Sequence, residues 1–161
     1  MRYYPSMKRI MIFDLDETVI DSNHRTPRNS DGSIKLTEFA KMNTKENIFK
    51  DTLLPLANVM KKAIASKDFV IVATARIMAD ADFEFLKNNN IEPNLVLSRS
   101  ENERTKPDAD LKFNKLNRLF NLKQFKNSEK IMFDDNNSVL SKMRENGLVA
   151  LNSLKVNKRL A

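Results

Sequence analysis

Two acidic pairs stand where buried strands are expected to end. Asp14 and Asp16 follow the apolar run Ile10-Met11-Ile12-Phe13, and Asp134-Asp135 follows Ile131-Met132-Phe133. A buried strand needs no acids, and like charges held a few ångströms apart repel unless a cation or a proton lies between them. If the two tips meet, Asp14, Asp134 and Asp135 share one edge. An oxygen-rich site of that kind suits Mg²⁺, which binds through one or two carboxylates plus substrate phosphate. Asp14 is then placed to attack phosphorus, while Asp16 protonates the leaving oxygen and later activates water. Thr74, after the apolar run 69–73, and Lys112 are expected to bind the phosphoryl oxygens, with backbone N–H groups at helix starts.

Each of these residues has an ordinary alternative role. Asp16 or Thr18 could cap a following helix, and Asp134-Asp135-Asn136-Asn137 could do the same further on. Lys106 and Lys112 sit among many lysines, and Asp108 with Lys112 has the i,i+4 spacing of a surface ion pair. What favours chemistry is that the polar groups recur in order, each at the end of an apolar run.

Those runs define the elements that must position the residues. Strands are expected at 10–13, 69–73, 95–97, 130–133 and 148–151. Helices are expected from Pro55, over 78–86 with a stop at Asn88-Asn89-Asn90, over 111–119, and over 139–143 with Gly147 as its stop. Alternating strands and helices indicate an α/β fold, a Rossmann-like doubly wound parallel sheet of about five strands. In such sheets the site lies outside the carboxyl ends of the strands, where Asp14/Asp16, Thr74/Arg76 and Asp134/Asp135 all fall. The chain reads as a single domain, 1–161. Residues 21–54, rich in turn formers at their start, form a small cap insert with one short helix after the first strand. Residues 1–8 read as a lead-in and 152–161 as a frayed basic tail.

Composition removes several classes. The chain has 161 residues, no cysteine, one histidine (His24) and two glycines (Gly32, Gly147). Disulfides, cysteine-zinc sites and thiolate nucleophiles are excluded, a Ser-His-Asp triad is disfavoured, and neither a dinucleotide fingerprint nor a Walker P-loop can be written. Residues 1–7 lack an apolar leader and no run is long enough to span a membrane, so a cytoplasmic protein is expected. A net charge of +7 favours anionic partners. Phe113, Phe120 and Phe125 recur at helical spacing, which suits a core better than base stacking.

The ordered motifs resemble those of the haloacid dehalogenase superfamily: Asp14-Leu15-Asp16-Glu17-Thr18, Thr74 after a strand, a lysine (Lys112 or Lys106), and Asp134-Asp135. The resemblance covers residues 8–151. It implies Mg²⁺ dependence, a covalent aspartyl-phosphate, and a metal held by Asp14, Asp134, Asp135 and the Asp16 backbone carbonyl. Glu17 replaces the glycine common at its position. A closer likeness is to the 3′-phosphatase domain of bacteriophage polynucleotide kinase-phosphatase. There an arginine follows the nucleophile by eleven positions (Arg25), another stands two after the motif-two hydroxyl residue (Arg76), and an aspartate precedes the lysine by four (Asp108), which selects Lys112. A charged stretch with arginine, 99–104, lies just before. This likeness implies Arg25, Arg76, Asp108 and Thr18 as substrate-binding residues, and a nucleic acid 3′ end or a nucleotide as the phosphorylated substrate.

The leading expectation is removal of 3′-phosphates from polynucleotide ends. Alternatives are a nucleotidase acting on mononucleotides, a protein phosphatase resembling the carboxy-terminal-domain phosphatases, and a non-catalytic nucleic-acid-binding protein on the same fold. A receiver domain is disfavoured because its paired acids end the first strand and its phosphorylated aspartate comes mid-chain, the reverse of the order here.

Overall fold

The computed structural model describes residues 9–161; the lead-in at 1–8 lies outside them. In chain order the elements are β1 (Arg9–Phe13), β2 (Ile20–Asp21), a 3₁₀ turn (Asn23–Arg25), α1 (Leu36–Met42), α2 (Lys45–Ile48), β3 (Thr52–Leu53) and α3 (Leu56–Ala65). There follow β4 (Phe69–Ala73), α4 (Asp80–Asn88), β5 (Leu95–Leu97), a second 3₁₀ turn (Glu101–Glu103), α5 (Asp108–Phe120), β6 (Glu129–Asp134), α6 (Asn137–Glu145), β7 (Val149–Asn152) and α7 (Ser153–Leu160).

Five strands form one parallel sheet in the order β5-β4-β1-β6-β7. β1 lies at the centre, buried on both faces, which explains its uninterrupted apolar run. Its side chains alternate between two cores. Met11 and Phe13 join Leu56, Met60, Val70, Val72 and Phe85 on one side, while Ile10 and Ile12 join Ile71, Leu116, Met132, Val139 and Leu140 on the other. Phe120 and Phe125 belong to the second core and Phe113 packs against it, as their spacing suggests. Each fully buried aliphatic or aromatic side chain contributes roughly 1.5–3 kcal/mol, so β1 is strongly held in register.

The chain moves from β1 outward to β4 and β5, then returns across the sheet through α5 to β6. The order therefore reverses between β1 and β6, and a crevice opens there at the carboxyl ends of the strands. Helix stops fall as expected: Gly147 closes α6 at φ +85°, and Asn90 turns the chain after α4 at φ +60°.

Two expectations are corrected. The insert holds more than one short helix: α1 and α2 accompany the antiparallel pair β2–β3 and a hairpin in which Arg28 faces Ile34. Its alternation was too short for periodicity to reveal. Residues 152–161 are also not frayed. Asn152 caps α7 by accepting from the N–H groups of Leu154 and Lys155, and Asn157 is buried, accepting from Leu56 N at 2.8 Å and donating to Thr18 O at 3.0 Å. Ser153 and Asn157 are the buried residues of α7 and only the half-buried Val156 adds an apolar contact to the core, so the apolar signal of this helix is sparse.

Candidate active site

Asp14 follows β1 directly, and its N–H donates to Phe133 O at 3.0 Å, extending the ladder by one residue. That bond sets the tip of β1 beside the tip of β6, whose last residue is Asp134. Carboxylate oxygens of Asp14, Asp134 and Asp135 lie within 4.8 Å of one another. Lys112, on the second turn of α5, reaches between two of them: Nζ is 3.0 Å from Asp14 Oδ1 and 2.6 Å from Asp134 Oδ2. Lys106 stays at the surface near Glu103.

All four groups are buried or nearly so, which decides their electrostatics. Burial pushes the Asp134 carboxyl up, Asp14 pushes it further, and Lys112 offsets only part. Asp135 is raised by burial and then by Asp14 and Asp134. Burial alone lowers Lys112, but Asp134 and Asp14 outweigh it and keep the ammonium charged. Three carboxylates against one ammonium leave the cluster short of positive charge. This donor set of hard oxygens fits Mg²⁺, with Asp14, Asp134 and Asp135 as the residues that would hold it.

The helix-cap role suspected for 134–137 falls to Asn136. Its side chain accepts from Ser138 N at the start of α6, while its own N–H donates to Asp134 Oδ1 at 2.9 Å. Asp134 and Asp135 are thereby left to the crevice.

Asp16 lines the same crevice but is already engaged. Arg76 donates to both of its carboxylate oxygens, and Ser22 Oγ donates to Oδ1. Burial raises the Asp16 carboxyl, yet Arg76 and Ser22 outweigh burial and hold it at about 2. Arg76 also donates to Asp82, in the first turn of α4. Arg25 is fully buried and grips Asp51, Nε to Oδ1 at 2.9 Å and Nη2 to Oδ2 at 2.6 Å. Both guanidinium groups lie over the Phe39 ring, at 5.4 and 5.5 Å, and so tie the insert to the sheet.

The remaining residues separate. Thr74 sits buried at the tip of β4, its Oγ1 accepting from Arg76 N. Asp108 reaches the crevice from the start of α5 and accepts from Arg99, which also donates to three backbone carbonyls and so shapes the loop before α5. Thr18 faces elsewhere, its hydroxyl donating to Ser153 Oγ at 2.8 Å under α7. The crevice is closed by two residues the motifs did not single out, Arg28 and Ile34 of the insert hairpin, leaving about 10 Å³, close to the space of one water molecule. The one available sign of the hairpin was the Asp31-Gly32 pair at its turn, where Gly32 has φ +89°.

Glu17 adopts φ +60°. Its backbone conformation supplies the reason that glycine is common at this motif position: a Cβ is disfavoured there. Its carboxylate compensates by accepting from Ser22 N and Asn23 Nδ2, both at 3.1 Å.

Sheet order and strand-tip geometry together define a haloacid dehalogenase-like hydrolase fold. A haloacid dehalogenase-like hydrolase from Streptococcus pneumoniae superposes with a TM-score of 0.65 at 14% identity, covering 94% of this chain and 91% of that one. A chain of the Pnkp1/Rnl/Hen1 RNA repair complex superposes with a TM-score of 0.64 at 26% identity, covering 94% of this chain and 44% of that one. Residues 1–161 match the family described as bacteriophage T5 5′-deoxynucleotidase, and the chain belongs to that family. The 5′-deoxynucleotidase of Escherichia phage T5 is 34% identical over 94 residues, which are 56% of this chain and 38% of that protein's length. No helix among the described residues is long and apolar enough to cross a membrane.

Proposed function

We propose that this protein is a Mg²⁺-dependent phosphomonoesterase that passes the phosphoryl group through Asp14, with a deoxynucleoside 5′-monophosphate as its substrate. The observation that carries the reading is the convergence of Asp14, Asp134 and Asp135 around the Lys112 ammonium. The family match and the 5′-deoxynucleotidase relative support the choice of substrate. The crevice covered by Arg28 and Ile34 has to open for a mononucleotide and for a polymer end alike, so the choice of substrate rests on the relatives.

An Asp14 oxygen attacks phosphorus, the bond from phosphorus to the ester oxygen breaks, and that oxygen leaves with a proton from Asp16. Water then attacks the aspartyl-phosphate, gives its proton to Asp16, and releases inorganic phosphate. Bound Mg²⁺ supplies charge compensation for the carboxylates and the phosphoryl oxygens. Lys112 fixes the orientation of Asp14 and remains as a cation beside the transferring group. To act as a proton donor Asp16 has to release Arg76 and take up a proton from solvent before the ester oxygen leaves, and Asp82 is positioned to keep that guanidinium paired meanwhile.

A second reading, removal of 3′-phosphates from polynucleotides, draws on the 26% identity to the RNA repair chain and on Arg25, Arg76 and Asp108 at the matching motif positions. One assay separates the two. With Mg²⁺, phosphate release from deoxynucleoside 5′-monophosphates is expected to exceed that from 3′-phosphorylated DNA or RNA and from a phosphopeptide. Asp14→Asn is expected to lower it by about 10³-fold or more. Faster release from the 3′-phosphorylated oligonucleotides selects the second reading, and Mg²⁺-independent release overturns both.

A further inference from the structure

Among the described residues, Arg28 Nη2 is the only buried side-chain nitrogen or oxygen without a hydrogen-bond partner. A guanidinium N–H cut off from both water and protein carries an uncompensated desolvation cost, and structures retain few such groups. This one belongs to a side chain lining the crevice together with Asp14, Asp16, Lys112, Asp134 and Asp135.

The rest of Arg28 is held in place. Its Nη1 donates to Gly32 O at 2.7 Å, inside its own hairpin. The hairpin is closed by Asn29 N donating to Ser33 O at 2.8 Å and Lys35 N donating to Pro27 O at 2.9 Å. The nearest acid, Asp135, is 3.7 Å from Nη1, too far for a hydrogen bond. Local backbone thus fixes the guanidinium over the acidic cluster, with one nitrogen tied and the other unused. The unused Nη2 N–H groups suit the anionic oxygens of a phosphoryl group, which accept strong charge-assisted hydrogen bonds.

We infer that Arg28 is the insert's phosphate-binding residue, donating through Nη2 to the phosphoryl group that Asp14 attacks. The inference rests on the phosphomonoesterase reading and adds to it the device that closes the site. Arg25 and Arg76, both committed to buried carboxylates, do not line the crevice. Arg28 does, and the hairpin carrying it must lift for substrate to enter. A phosphate that draws Arg28 down brings Ile34, paired opposite it, over the reacting atoms.

Calorimetric titration of inorganic phosphate into the Mg²⁺-loaded protein tests this without relying on turnover. Arg28→Met is expected to weaken phosphate binding by about 10- to 100-fold, the range for a hydrogen bond to a charged group. Arg28→Lys, which keeps the charge but cannot both bond Gly32 O and present a fixed second nitrogen, is expected to fall between. Without phosphate, Arg28→Met is expected to melt within a few degrees of wild type, because removing the unpaired Nη2 offsets the loss of the Nη1 bond to Gly32 O. Equal phosphate affinity in Arg28→Met and wild type overturns the assignment, as does a wild type that binds no phosphate. Lower melting with unchanged phosphate affinity would make Arg28 a purely structural residue and overturns it too. If phosphate binding depends on Arg28 but no phosphomonoester is hydrolysed, the Arg28 assignment stands and the proposed activity falls.

Discussion

Arg76 holds both carboxylate oxygens of Asp16, Nε donating to Oδ2 at 3.0 Å and Nη2 to Oδ1, while Nη1 donates to Asp82. One buried cation is therefore shared by two buried acids, with Arg25 Nη2 3.7 Å from Asp82 as the second positive charge. Removing Arg76 strands Asp16 and leaves Asp82 to Arg25 alone. Arg76→Met is expected to cost about 3–5 kcal/mol, the range for breaking a buried pair from one side, with Arg76→Lys costing less. Urea unfolding of the two variants checks this; a methionine variant as stable as wild type would show that the acids are neutralised another way.

Lys112 offers a prediction that depends on metal. Lys112→Met leaves Asp14 and Asp134 facing each other without their shared ammonium, and is expected to destabilise the metal-free protein by about 3–5 kcal/mol. A divalent cation bound by those same carboxylates should restore part of the loss, since a ligand binding only the folded state adds about 2.7 kcal/mol at a hundred times its Kd. Thermal melting of both proteins with EDTA and with excess Mg²⁺ checks it. A variant whose melting temperature ignores Mg²⁺ would count against a cation at this cluster.

Glu17 separates a backbone demand from a side-chain one. At φ +60°, Glu17→Gly removes the disfavoured Cβ but also the acceptor of Ser22 N, so its stability is expected within about 1 kcal/mol of wild type. Glu17→Val keeps the Cβ, branches it and loses the acceptor, and is expected to cost about 2 kcal/mol or more. Chemical denaturation of both variants measures the difference, and equal stability would mean that the turn relaxes freely.

Asn157 pins α7 to the body of the protein. Asn157→Ala leaves Leu56 N and Thr18 O buried without their partner, at an expected cost of about 1–3 kcal/mol. Asn157→Asp keeps the acceptor for Leu56 N but brings a carboxylate oxygen against Thr18 O, and is expected to be no better than alanine. Unfolding midpoints of the pair decide whether the helix is anchored or merely adjacent.

Much of the architecture was legible because β1 and β4 are buried on both faces and carry unbroken apolar runs. The acids at the ends of β1 and β6 stand out against those runs, and the rule that sites lie at the carboxyl ends of parallel strands joins them from the sequence alone. The insert and α7 were not legible, for related reasons. The insert elements are two to seven residues long, too short for a period to emerge. The inner face of α7 carries Ser153 and Asn157, whose burial depends on hydrogen-bond partners far away in the chain.

From the amino-acid order alone came the type of fold, the acidic strand tips and the preference for a hard cation. Partnership was decided by tertiary structure. Only the fold commits Arg25 to Asp51 and Arg76 to Asp16 and Asp82, while Arg28 keeps an unused nitrogen over the crevice. Three arginines of identical chemistry acquire different roles because charge pairing depends on distance and burial, and neither is written in the spacing of residues along a chain.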